Sequence, residues 1–123
     1  MKLPAERDDV ALERARGAAT PGHVARGRAI RLAAEGLRPE AAEGPVDLTI
    51  YAPDAHGWPL PGAPAGSRRY AVAVEATLRV RGGRAGYTFR TVRKDVPGRY
   101  VAVFRRLDCS SRPVARVAFE VRS

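Results

Sequence analysis

The residues with side chains capable of acid–base, nucleophilic or metal chemistry are few and scattered along the chain. They are the two histidines, the single cysteine and two aspartates: His23, His56, Asp54, Asp108 and Cys109. A structural zinc site takes four ligands, normally in closely spaced pairs, and the sequence contains no such pairs. A thiol nucleophile needs an activating base, and the sequence shows no such partner for Cys109. We therefore predict no catalytic residues, no metal, no cofactor and no small-molecule substrate, and an enzyme using Cys109 and His56 is the least favoured hypothesis.

Positive charge is the strongest chemical signal in the sequence. The formal net charge is +9 at pH 7, and between Ser67 and Arg106 the only acids are Glu75 and Asp95. Because guanidinium forks bind carboxylate and phosphate bidentately, such a surface suits an anionic partner. The predicted binding surface comprises seven cations on neighbouring strands and loops: Arg79, Arg81, Arg84, Arg90, Arg93, Lys94 and Arg105. The alternative is an arginine-rich composition on an ordinary surface.

All seven cations lie in a stretch from Tyr70 to Ser123 in which apolar and polar residues alternate. This period predicts consecutive antiparallel strands with one buried face. Turn residues interrupt the pattern at 81–86 (RGGRAG) and 95–98 (DVPG), where glycine and proline suit tight turns. The strand around Tyr100 is apolar on both faces, which predicts a central position in the sheet.

A further strand is predicted from Val46 to Tyr51, ahead of this stretch. The segment 53–69 is rich in proline and glycine and is predicted to be a long loop. Trp58 and Leu60 are expected to anchor that loop to the core.

Residues 1–45 are predicted to form a helical arm, with residues 46–123 as a β domain. Residues 5–18 favour helix by propensity, and a second helix would run from a Thr20 cap to about Glu35. Its narrow apolar stripe would pack on the sheet or on a neighbouring subunit through Val24, Ile30, Leu32 and Leu37. The segment 28–42 resembles the first half of a helix-turn-helix, but a predicted strand stands where the recognition helix would begin.

The segments VDLTIYAPDAHGWPLPG, beginning at Val46, and TVRKDVPGRYVAVF, beginning at Thr91, resemble bacterial and phage immunoglobulin-like β-sandwich modules. The resemblance covers residues 46–121 and implies a mainly β, antiparallel sandwich, with a small barrel as the alternative. Two features depart from the family pattern. Five strands are evident rather than seven, and CSSRP at 109–113 replaces the usual glycine–tryptophan turn.

No run of about eighteen apolar residues is present, and the first residues lack an apolar core typical of a secretory signal. We therefore expect a cytoplasmic protein, or one assembled in the cytoplasm into a particle, with no membrane partner. The leading functional hypothesis is a non-enzymatic structural or adaptor module in an oligomeric assembly, which binds a protein partner or a second copy. The alternative is a nucleic-acid-binding protein whose arginines contact phosphates and whose Tyr87 and Tyr100, if exposed, stack on bases.

Overall fold

The computed structural model describes residues 15–37, 45–107 and 113–123, which form eight β-strands and contain no helix. Two sheets face each other across a shared apolar core. The strands are β1 (Arg16–Thr20), β2 (His23–Ala25), β3 (Ala29–Glu35), β4 (Val46–Pro59), β5 (Arg69–Leu78), β6 (Arg84–Arg90), β7 (Gly98–Arg106) and β8 (Pro113–Arg122). The prediction of a mainly β protein is therefore confirmed.

One sheet has three strands in the order β1-β3-β6, and the other has five in the order β2-β8-β7-β4-β5. All pairs are antiparallel except the short β2, which runs parallel to β8. The chain crosses from the first sheet to the second between β1 and β2, at Pro21 and Gly22. Residues before Val46 thus contribute to both sheets.

The predicted second helix is wrong, because its residues form β2 and β3. β3 pairs with β6 over seven residues, and this pairing satisfies its backbone without a helix. Ile30 and Leu32, two residues apart, are both buried, as expected for one face of a strand. Of the predicted first helix, residues 16–18 belong to β1, and the part up to residue 14 lies outside the described residues.

The prediction that the strands from Tyr70 onward follow one another as antiparallel neighbours is also wrong in part. The turn at Arg81–Arg84 forms as expected, with Gly82 and Gly83 at positive φ and two backbone hydrogen bonds between Arg81 and Arg84. However, β5 and β6 then enter different sheets, and β6 pairs with β3. Alternation identifies a half-buried strand, but it does not say which strand lies beside it.

The central position of β7 is confirmed, since β7 lies between β8 and β4. Its inward side chains Tyr100 and Phe104 are at most 1% exposed and belong to the core between the sheets. On its outer face, Val101 and Val103 are buried in a second apolar cluster with Tyr70. Both faces of this strand are covered, which explains its continuous apolar sequence.

Three aromatic rings link the two sheets at the centre of the core. Phe89 of β6 lies with its ring centroid 6.0 Å from that of Tyr100 and 5.9 Å from that of Phe119 on β8. The Tyr100 and Phe119 centroids are 5.5 Å apart. The Tyr100 hydroxyl donates a hydrogen bond to the carbonyl of Val96, at 2.7 Å. This bond ties the start of β7 to the loop that precedes it.

The predicted loop at 53–69 is shorter than expected, because β4 continues to Pro59 through an irregularity between Pro53 and Trp58. Gly57 is required there, since a side chain would collide with the backbone of Tyr70. Leu60 packs against the outer cluster, as predicted. The expectation for Trp58 is wrong: its side chain is 77% exposed.

Candidate anion-binding surface

The seven predicted cations do not form one surface. Arg79, Arg81, Arg84 and Arg105 lie at the end of the sandwich where β5 stops and β6 begins. Arg90 is the last residue of β6, at its opposite end, and Arg93 and Lys94 follow it. The six residue steps from Arg84 to Arg90 span about 20 Å at the usual rise of a strand. A single short ligand therefore cannot contact both groups.

Three further arginines join the second group at its end of the molecule. Arg26 and Arg28 belong to the turn between β2 and β3, and Arg122 ends β8. All six cations are exposed. We call this cluster the basic end: Arg26, Arg28, Arg90, Arg93, Lys94 and Arg122.

Backbone hydrogen bonds hold the three segments of the basic end together. The Arg26 amide donates to the carbonyl of Arg122 at 2.9 Å, and the Thr91 amide donates to the carbonyl of Arg28 at 3.0 Å. The Arg26 guanidinium donates to the carbonyl of Arg93 at 3.1 Å. The turn, the β6–β7 loop and the end of β8 are thus fixed relative to one another before any ligand binds.

Thr91 is the centre of this arrangement and is only 3% exposed. Its Oγ1 accepts hydrogen bonds from the amides of Gly27, at 2.8 Å, and Arg28, at 3.1 Å. The same hydroxyl lies 2.7 Å from the carbonyl of Arg28 and 3.2 Å from that of Ala25, and it can donate to either. Gly27 has a φ of 88°, so the turn needs glycine between its two arginines. Thr91 therefore fixes the conformation that presents Arg26 and Arg28.

Positive charge predominates at the basic end. Asp95 caps its own loop, since its Oδ2 accepts a hydrogen bond from the Val92 amide at 2.7 Å. Glu120 forms an exposed ion pair with Arg122 at 3.0 Å. Within the described part of the chain, Arg26, Arg28 and Arg93 make no ion pair.

The surface between these cations is open. Arg26 and Arg93 line one depression, and Arg28 and Arg122 line an adjoining one that also includes Pro21 and His23. Such an arrangement can hold carboxylate or phosphate groups through several guanidinium forks. It offers no group positioned for bond making or breaking.

At the other end, Arg84 is already engaged. Its Nε lies 3.1 Å from Glu35 Oε2, in a half-exposed ion pair across β3 and β6. Arg105 lies opposite Asp47 in the pairing of β4 and β7. Glu35 and Asp47 thus lie beside cations at this end, whereas Arg26, Arg28 and Arg93 make no ion pair within the described residues.

Sequence reasoning missed Arg26 and Arg28 because it assigned them to a helix. The glycine between them is a turn signal that, in retrospect, marks the site. The sequence analysis also proposed that Tyr87 and Tyr100, if exposed, stack on bases. Tyr100 is 1% exposed, so its ring is not presented to a base, and Tyr87 is partly buried with its side chain packed against the core.

The two histidines lie on strands that are not neighbours in the five-stranded sheet. His23 lies on β2, while His56 is in the irregular part of β4, where its amide donates to Asp54 Oδ1 at 2.8 Å. Among the described ranges, no group of three His, Cys, Asp or Glu side chains is placed to hold a metal ion. Asp108 and Cys109 lie outside those ranges.

The part of the chain that the structure describes also has no helix long and apolar enough to cross a membrane.

No protein-family model matches the chain, and no curated protein matches it either. Among solved structures, it is similar to the alkylpurine DNA glycosylase AlkC of Pseudomonas fluorescens, bound to DNA containing an abasic site analog. That likeness has a TM-score of 0.49 and 20% identity, and it covers 89% of this chain but only 29% of the glycosylase chain. The soluble domain of PmoD from Methylocystis is also similar, with a TM-score of 0.49, 16% identity and coverage of 81% of this chain and 77% of that one. At these values neither likeness supports an argument about function.

Proposed function

We propose that this chain is a non-enzymatic binding module, a structural or adaptor part of an assembly, that holds an acidic segment of a partner protein at its basic end. The observation that carries the proposal is the convergence of six exposed cations from three segments held together by hydrogen bonds. Each exposed ion pair with a partner carboxylate contributes only about 0–1 kcal/mol, so several must act together. The cytoplasm, or a particle assembled there, is the compartment that this proposal assumes.

We also propose that the fold is immunoglobulin-like. In that fold, strands A, B and E share one sheet, and C, F and G share the other. Taking β1, β3 and β6 as A, B and E, and β4, β7 and β8 as C, F and G, reproduces this division. The bond from the Tyr100 hydroxyl to Val96 further supports the assignment, because a tyrosine near the start of strand F typically bonds back to the preceding corner.

The second candidate is binding to the phosphates of a nucleic acid. Arginine predominates at the basic end, and guanidinium groups suit phosphate as well as carboxylate. Phosphate contacts need no stacking platform, so the burial of Tyr100 weakens base recognition without excluding this candidate. The acidic protein segment remains the first choice because no exposed aromatic residue belongs to the cluster, so nucleic-acid binding would rest on phosphate contacts alone, which are weak at physiological salt.

Binding isotherms with two probes test the proposal. The probes are a fluorescently labelled polyglutamate peptide and a labelled duplex DNA, each titrated with the full chain at several salt concentrations. We expect the peptide to bind at about 150 mM salt, where non-specific DNA binding is already weak. Tighter binding to DNA than to the peptide would favour the second candidate. Contact with three to five phosphates would then give a slope of log K against log salt of roughly −3 to −5. Binding of neither probe would contradict both candidates.

A further inference from the structure

The four edge strands of the two sheets differ in their length and in how accessible they are for pairing with another strand. β2 has only three residues, and β1 packs so closely on β8 that a side chain at Gly17 would meet the backbone of Arg116. β6 is bounded by Arg84 and Arg90. β5 has ten residues, and within the described part of the chain it pairs with β4 alone. It is therefore the longest open edge among the described strands.

The usual devices that protect an edge are weak along β5. Proteins discourage pairing at an edge with lysine, proline, short strands or bulges. β5 contains no lysine or proline. Its register with β4 shifts between the Val74 and Val72 pairs, and again opposite Tyr70, where Pro53 and Trp58 both pair with that residue. The segment 74–78 lies beyond both shifts and pairs regularly with β4. Near the other half of the strand, Val72 is 52% exposed and Trp58 is 77% exposed.

Local charge indicates what this edge can accept. Two copies of a chain with net charge +9 repel one another wherever their contact surface is basic. Residues 70–78 contain no cation and one acid, Glu75. On the adjoining strand, Asp47 accepts a hydrogen bond from the Thr77 hydroxyl at 3.3 Å. The β5 edge is thus a place where a second copy can approach without facing opposing arginines.

We infer that β5 pairs with β5 of a second copy, antiparallel, about a two-fold axis through Ala76, so that the two five-stranded sheets join into one. This register places Val74 opposite Leu78 of the second copy on the core side. On the outer side it places Glu75 opposite Thr77 of the second copy. Each pair occurs twice, and no like charges stand directly opposite. The inference does not rest on the basic end, so either can fail without the other.

The register is tested by the charge at residue 77. In this register, residue 77 of each copy faces Glu75 of the other copy. Thr77→Glu therefore places a carboxylate opposite each Glu75, whereas Thr77→Lys places an ammonium there. We expect light scattering after size exclusion to show wild-type mass rising toward two chains with concentration. Thr77→Glu should remain monomeric, and Thr77→Lys should dimerise at lower concentration. Thr20→Glu, an exposed threonine on β1, is the matched control and should behave as wild type.

A charge exchange separates loss of pairing from damage within one copy. Thr77→Glu also lies beside Asp47 of its own chain, but combining it with Glu75→Lys should restore the dimer because each new carboxylate then faces an ammonium. As a second measurement, Ala76→Cys in a Cys109→Ser chain places two thiols at the axis. Residues opposite each other in antiparallel strands have Cα atoms about 4.5–5.5 Å apart, within disulfide range. The inference would be overturned if the wild type stayed monomeric at every concentration and Ala76→Cys formed no cross-link. It would also be overturned if Thr77→Glu and Thr20→Glu showed the same molecular mass at every concentration.

Discussion

At the scale of single residues, the Tyr100 hydroxyl makes a defined contribution to stability. It is buried, and its bond to the Val96 carbonyl closes the loop before β7. Tyr100→Phe should lower the free energy of unfolding by about 1 kcal/mol, the usual net value of one such bond. Urea denaturation measures this, with Tyr51→Phe on the partly exposed outer face as the control. A loss no larger than that of the control would contradict the assigned role.

Tyr100 also predicts a pH dependence at high pH. Burial, and secondarily the charge of Asp95, raises the pKa of Tyr100 to about 12 from the ordinary value of 10.0. As pH rises, the unfolded state therefore releases this proton at a lower pH than the folded state does. The stability that the neutral hydroxyl contributes is complete below pH 10 and is lost between pH 10 and about 12. The stability difference between wild type and Tyr100→Phe should shrink across that range. A difference that stays constant up to pH 11 would contradict the raised pKa.

Thr91 is the residue on which the shape of the basic end depends. Thr91→Val keeps the side-chain volume but leaves the amides of Gly27 and Arg28 without this acceptor. The Arg28 amide keeps the Ala25 carbonyl as an acceptor at 3.1 Å. We therefore expect a loss of about 1 kcal/mol in stability, the lower end of the cost of leaving one amide unsatisfied. Weaker binding of the polyglutamate peptide should accompany it. Thr88→Val, which removes a more exposed hydroxyl bonded to Arg31, should change stability by less than about 0.5 kcal/mol.

At the scale of strands, residues 16–35 are part of the fold, because they form β1, β2 and β3. Ile30 and Leu32 of β3 share one core cluster with Leu48 and Phe104 of the other sheet. A chain starting at Val46 loses three strands and leaves β6 without its partner β3. We expect it to show no cooperative thermal unfolding by circular dichroism. A cooperative transition would instead support the division into an arm and a separate β domain that the sequence suggested.

Phe119 joins the two sheets through its ring contacts with Phe89 and Tyr100. Phe119→Ala should cost about 3–5 kcal/mol in stability because it opens a cavity between the sheets. Ala118→Gly, the exposed neighbour on the same strand, is the control and should cost about 1 kcal/mol or less. Equal losses in chemical denaturation would show that the ring is not part of a close-packed core.

Particular strands show how far the sequence alone can predict this fold. β7 was predictable as a central strand because both its faces are apolar, and the turn at Gly82 and Gly83 was predictable from its glycines. β3 was not, because its alanine, leucine and glutamate favour helix by propensity, and only its pairing with β6 makes it a strand. Pairing between distant segments is a property of the folded chain that local patterns do not encode.

The binding site was predicted only in part for the same reason: contacts between distant segments are not visible in local sequence patterns. Arg90, Arg93 and Lys94 are neighbours along the chain, so they were grouped correctly with one another. Arg26 and Arg122 are far apart in sequence and meet only because β2 runs beside β8. The predicted surface also joined Arg81 to Arg93, which the length of β6 keeps at opposite ends.

At the scale of the whole molecule, charge is distributed in a way that separates two surfaces. The basic end gathers cations from three segments, while the open edge of β5 carries Glu75 and no cation between residues 70 and 78. An anionic partner and a second copy would therefore bind at different places. Dimers formed through β5 would carry two basic ends, which raises avidity for a partner with repeated acidic segments.

The most direct test of the central claim compares two double variants that remove the same charge from opposite ends. Arg93→Ala with Lys94→Ala removes two cations from the basic end, and Arg79→Ala with Arg81→Ala removes two from the other. Affinity for the polyglutamate peptide is measured for both by fluorescence anisotropy at about 150 mM salt, close to physiological ionic strength. We predict that the first pair weakens binding about tenfold or more, if each lost ion pair contributes up to about 1 kcal/mol, and that the second pair changes it little. Equal weakening by both pairs would show that net charge alone attracts the peptide, and it would contradict a binding site at the basic end.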